Sequence, residues 1–162
     1  MTAQRHRRKG CGQAARWAFA LVLLALPALA ATTERVVTDQ HTGLALYGFD
    51  PVAYFTDAKP VEGRPSLEHA YAGVVWRFDN PGNRAAFARD PQVYMPRFGG
   101  YDPLGVAEGA ARPGHPDLWL IVEDQLFLFQ KPADRAAFAR DPQAYIKAAE
   151  AKWPQVLETI VP

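Results

Sequence analysis

Histidine, aspartate and serine are the residues through which this chain could do chemistry, so their spacing comes first. Three histidines lie beyond residue 30, His41, His69 and His115, and no two stand four apart or form a His-x-His pair. The segment His115-Pro116-Asp117 sets an imidazole and a carboxylate two residues apart. These two are the candidate metal ligands, for a divalent ion held by hard oxygens and one nitrogen, if Asp50, Asp79 or Asp102 converges on them. The competing reading puts His41 in a turn, His69 on the outer face of a strand and His115 in a loop. The only serine, Ser66, lies in a Pro/Gly-rich loop outside any G-x-S-x-G elbow. Neither a G-x-x-x-x-G-K phosphate loop nor a G-x-G-x-x-G turn occurs. Glu123-Asp124 falls in an expected hairpin turn, where both carboxylates meet water. No catalytic residue is expected, and no enzyme.

Four Asp-Pro pairs punctuate the chain: Asp50-Pro51, Asp90-Pro91, Asp102-Pro103 and Asp141-Pro142. Each precedes a stretch able to form a helical turn. An aspartate there caps free N–H groups and the proline fits the first helical position, so capping competes with any ligand role. Around two of these pairs lie Tyr47, Phe49, Tyr54, Phe55, Trp76, Tyr94, Phe98 and Tyr101. They make either an aromatic core or the wall of a pocket beside Gly99-Gly100, where absent side chains allow close approach. The candidate ligand-binding set is Asp50, Tyr54, Gly99, Gly100, Tyr101 and Asp102.

These residues are framed by a repeat. The stretch RAAFARDPQ occurs at 84–92 and again at 135–143. Extended backwards, residues 71–94 align with 122–145 at an offset of 51, with 12 of 24 positions identical. Leu67–Tyr71 and Val74–Phe78 flank the turn Ala72-Gly73. Leu118–Val122 and Gln125–Phe129 flank Glu123-Asp124. Their β-branched and aromatic content predicts two hairpins, and the more apolar second one is expected at the centre of a shared sheet. Alanine-rich helices follow Pro81 and Pro132, with Phe87 and Phe138 inward and Tyr94 and Tyr145 as the next anchors. Val36-Val37 and Leu44–Tyr47 predict an opening hairpin around DQHTG. Segments 56–66 and 108–117 read as loops, and a short last helix is expected to restart after Trp153-Pro154. The prediction is one α+β domain containing a duplicated β-hairpin–helix unit, with repeats at about 67–98 and 118–149.

Residues 1–30 carry an address. Arg5, Arg7, Arg8, Lys9 and Arg16 precede the uncharged 14-residue run Trp17–Ala30, and Ala28-Leu29-Ala30 has the small-x-small form of a cleavage site. That order predicts a cleaved signal peptide over 1–30, a cut before Ala31, a mature domain over 31–162 and a periplasmic or secreted protein. The run is shorter than the ~20 apolar residues of a spanning helix, so the membrane enters only during export. Removing five of 18 basic residues and no acidic one leaves 13 Lys+Arg against 17 Asp+Glu, a formal charge of −4. An acidic chain attracts no nucleic acid. The one cysteine, Cys11, leaves with the leader, which excludes disulfides, a thiol nucleophile and thiolate-bound metal. The sequence identifies no cofactor.

Three segments together, YGFDPVAYF (47–55), YAGVVWRFDNPGNRAAFARDPQVY (71–94) and RFGGYDPLGVAEG (97–109), resemble the exported branch of the YHS-domain family over about residues 41–154. The resemblance implies a small ββα-type domain related to metal-associated, zinc-ribbon-like modules. It also implies cysteine ligands at the positions held here by Ala53, Asp79 and Asn83. In the exported branch a cysteine or selenocysteine often follows the Gly-Gly-Tyr; Asp102 stands there. The family's literal Tyr-His-Ser core is absent too. The expectation is therefore a non-catalytic exported YHS-type domain with a ligand- or metal-associated binding role in the cell envelope, its partner a small ligand or an envelope protein. The alternative is an interaction or structural module that has lost the family's metal or thiol site.

Overall fold

The computed structural model describes Met1 and residues 35–160. The expected leader and cleavage site lie outside the described residues. The elements in chain order are α1 (Ala53–Thr56), β1 (Arg64–Tyr71), β2 (Val74–Phe78), α2 (Pro81–Arg89), α3 (Pro91–Tyr94), α4 (Pro103–Ala107), β3 (His115–Val122), β4 (Gln125–Phe129), α5 (Pro132–Phe138) and α6 (Pro142–Ile160). The result is a small α+β domain with two antiparallel hairpins. Among the described residues no helix is long and apolar enough to cross a membrane.

The two hairpins correspond in register. β1 pairs with β2 and β3 with β4 in one register, Arg64 opposite Phe78 and His115 opposite Phe129, with the register shifting between Arg64 and Glu68 in one and between His115 and Trp119 in the other. Before each hairpin the chain makes a tight turn with three consecutive positive φ values, 50°, 57° and 86° at Leu46–Gly48 and 52°, 62° and 91° at Phe98–Gly100. Non-glycine residues enter that region at a cost, which Leu46 and Phe98 offset by burying their side chains. Gly63 N–H donates to Gly48 O at 2.9 Å and Gly114 N–H to Gly100 O at 3.0 Å. A Cβ on Gly63 would lie 2.4 Å from Arg77 Cβ, and one on Gly114 2.5 Å from Leu128 Cβ. Only glycine lets these strands cross so closely.

The hairpins do not share a sheet; each is a separate two-stranded sheet. The apolar second hairpin is nonetheless internal, for a different reason. Phe127 and Phe129 of β4 face a core with Phe138, Ile146, Ala149 and Val156 of α5 and α6. Leu126 and Leu128, on its other face, join Leu46, Tyr54, Trp76 and Phe87 in the core of the first half. The matching residues of β2 are Val75 and Arg77, and Arg77 turns outward to Glu68 at 2.9 Å. Two side-chain changes on one strand face thus convert a half-solvated hairpin into the wall between two cores. Tyr54 ties the halves as well. Its hydroxyl donates to Pro116 O at 3.1 Å and its ring stands edge-on to Trp119 at 5.4 Å. Burial first, then the charges of Asp117 and Asp50, raises its hydroxyl above the ordinary tyrosine range, so it remains a donor.

Several local expectations change. β1 and β3 begin at Arg64 and His115, inside the segments read as loops. His69 faces α2, its ring 6.1 Å from Phe87, instead of lying on an outer face. The opening hairpin is reduced to one bridge, Thr38 with Ala45, because Val37 donates instead to Gly99 O at 2.8 Å. Helix α6 runs through Pro154 without restarting. Trp153 on Phe98 and Val156 in the core hold both sides of the proline to one surface. Of the four Asp-Pro aspartates, Asp90 makes no side-chain capping bond.

Candidate functional site

Asp50 lies at the end of the first tight turn and is 0 % exposed. Its Oδ1 accepts from Val52 N at 2.9 Å and Ala53 N at 3.4 Å, and its Oδ2 from Asp79 N at 2.9 Å and Asn83 Nδ2 at 2.7 Å. One carboxylate therefore joins the start of α1, the end of β2 and the first turn of α2. Ala53, Asp79 and Asn83, the positions that the YHS resemblance assigns to cysteine ligands, all meet at it. The Asp79 side chain points away, to Arg64 at 2.9 Å, while Asn83 is buried.

Asp102 is the counterpart in the second half and is also 0 % exposed. Its Oδ1 accepts from Leu104 N at 2.8 Å and its Oδ2 from Gln130 N at 2.7 Å. Gln130 corresponds to Asp79. The residue corresponding to Asn83 is Asp134, in the first turn of α5. Burial, and then the Asp134 charge, raises Asp102 above the ordinary carboxylate range against the lowering effect of the two N–H groups.

The six residues of the candidate ligand set do not line one opening. Asp50, Tyr54, Gly100, Tyr101 and Asp102 are buried. Gly99 is covered on one side by the incoming chain: a Cβ there would stand 1.8 Å from Arg35 O. Its other side borders a cleft of about 590 Å³, inside the usual range for small-ligand sites. Sequence reasoning missed this cleft, because its walls come from segments that are far apart. Val93, Met95, Pro96, Phe98 and Gly99 line it together with Trp153 and Leu157 of α6 and the Glu123-Asp124 turn. Arg35 and Arg97 add positive charge. Arg97 sits 5.3 Å over the Phe98 ring centroid and reaches Glu150 through Nη2, while its buried Nε has no partner among the described residues. The sequence signals available were the glycine pair and Phe98, but nothing local tied them to Val93 or Trp153.

The two candidate metal ligands are neighbours but stand alone. His115 Nδ1 is 3.6 Å from Asp117 Oδ2, with both side chains well exposed at the start of β3. Asp50 and Asp102 are committed to their own donors. Among the described residues no group of three or more histidine, cysteine or carboxylate side chains is placed to hold an ion. No family model, no curated protein and no solved structure matches this chain.

Proposed function

We propose that this chain is an exported, non-catalytic YHS-type binding domain of the cell envelope, built from two copies of one hairpin-and-helix unit. The family's ligand positions have become structural in both copies, and the cleft beside Gly99 is the binding site. The cleft itself carries this reading. It brings the apolar side chains of Phe98, Val93, Trp153 and Leu157 together with Arg97, whose guanidinium also pairs with Glu150. A few charged groups in an apolar recess suit a small ligand with an aromatic or aliphatic body and an anionic group. The bonding around Asp50 and Asp102 supports the non-catalytic part, since each carboxylate is engaged by backbone donors from separate elements.

The test is native mass spectrometry with elemental analysis of the mature protein, purified from a periplasm without chelator, alongside the variant Val93→Glu. Val93 is 48 % exposed, so a charge there enters the cleft wall and leaves the core alone. Wild type is expected to carry a bound small molecule. The variant is expected to lose it, with affinity down at least about tenfold (~1.4 kcal/mol) and an unchanged melting temperature. Equal occupancy in both proteins would place the ligand elsewhere. A clean apo mass, still clean after incubation with copper, zinc and haem, would favour the interaction module.

A further inference from the structure

We propose that the cleft beside Gly99 takes a dipolar ligand, an apolar body with an ammonium group held by the Glu123-Asp124 turn and a carboxylate held by Arg35, the chemistry of a short peptide with free ends. This rests on the binding reading above and adds the charge pattern of the ligand.

The charged residues that line the cleft are Arg35, Arg97, Glu123 and Asp124. Arg97 is already balanced, since its guanidinium pairs with Glu150 and lies over the Phe98 ring. The Arg35 guanidinium has no ion-pair or hydrogen-bond partner among the described residues, and neither does the Asp124 carboxylate. Glu123 accepts from Gln143 Nε2 at 2.7 Å, but an amide is neutral and cancels no charge. Among the described residues the cleft therefore keeps one cation and two carboxylates that nothing balances.

The acids are not there to make the turn. The first hairpin closes in the same left-handed region with Ala72-Gly73, φ 54° and 81°, against 51° and 57° at Glu123-Asp124. Ala72 lines the cleft as well. Both hairpin turns thus reach it, and only the second brings charge.

A purely anionic ligand would match Arg35 and meet two uncompensated carboxylates. A purely cationic one would leave Arg35 unmatched. A molecule with both signs matches all of them, while Val93, Met95, Phe98, Trp153 and Leu157 supply apolar contact for its body. Arg35, Glu123 and Asp124 are exposed, so water and salt weaken each charged contact. The charges then set which ligand is chosen, and apolar burial supplies most of the affinity.

The experiment is isothermal titration calorimetry of residues 31–162 with alanyl-tryptophyl-alanine in four forms: both ends free, N-acetylated, C-amidated, and blocked at both ends. At about 10 mM salt the free peptide is expected to bind most tightly. Acetylation and amidation should each weaken it about threefold. Both losses should shrink at about 150 mM salt, where the screening length falls to about 8 Å. Two variants assign the charges. In Glu123→Gln/Asp124→Asn, acetylation should no longer matter while amidation still does. In Arg35→Gln the pattern should reverse. Equal affinity for all four forms would overturn the proposal, as would sensitivity to one end only or end effects that persist in the variants. Failure of all four peptides to bind would overturn it too. The binding reading has a separate outcome: a bound molecule that wild type carries and Val93→Glu loses keeps the cleft as the site even if no peptide enters it.

Discussion

Asp50→Ala is expected to destabilise the domain by about 4 kcal/mol, measured by urea unfolding of residues 31–162. A simple N-cap lost to alanine costs about 0.5–2 kcal/mol. Asp50 is more than a cap. Its removal strands the N–H groups of Val52 and Asp79 and the Asn83 amide, and weakens the bond at Ala53. The site is closed to solvent, and each buried donor left without a partner costs about 1–3 kcal/mol. Against a typical net stability of about 5–15 kcal/mol this is a large fraction. Asp50→Asn should fall between the two, since its amide oxygen can still accept from one side. A loss for Asp50→Ala no larger than for a surface cap would mean that the three elements hold together without this carboxylate.

Gly99→Ala should cost about 3 kcal/mol and should loosen the segment from Arg35 to Val37. Two effects combine. The residue sits at φ +62°, where a side chain is strained, and its Cβ would overlap Arg35 O at 1.8 Å. The clash is with backbone, so no rotamer change relieves it; the incoming segment must move. Moving it breaks the Val37 N–H bond to Gly99 O and uncovers Val36 and Val37, both buried. Amide hydrogen exchange provides the check, with Val37 expected to lose protection before the strands do. Full protection at Val37 in the variant would show that the turn absorbs the strain by itself.

How much of this was readable in the chain depends on distance along it. Val74–Phe78 and Gln125–Phe129 appear as strands from composition alone, and Pro81 and Pro132 mark helix starts that the structure keeps. The inward positions of Phe87 and Phe138 also follow from their pattern. The strand starts at Arg64 and His115 were hidden, because proline and glycine around them signal loops. They are strands because Gly63 and Gly114 let the chain pass against Arg77 and Leu128. The correspondence of Asp50 with Asp102 was hidden by one residue: the two turns are 52 apart while the hairpins are 51 apart. Pro154 misled because a helix break is a local rule, and here Trp153 and Val156 outweigh it through packing. The cleft was beyond local pattern altogether, since Val93, Gly99 and Trp153 share nothing in sequence.

β4 faces two cores with alternate side chains, Leu126 and Leu128 one way and Phe127 and Phe129 the other. Here the second copy completes the first one's interior. Neither half has a closed interior once β4 is withdrawn, so the two must fold in a single cooperative event. The same strand couples the two halves: a substitution at Leu128 alters the core of the half that does not contain it. Without β4, Leu46, Tyr54, Trp76 and Phe87 would lose the Leu126 and Leu128 side chains that share their core.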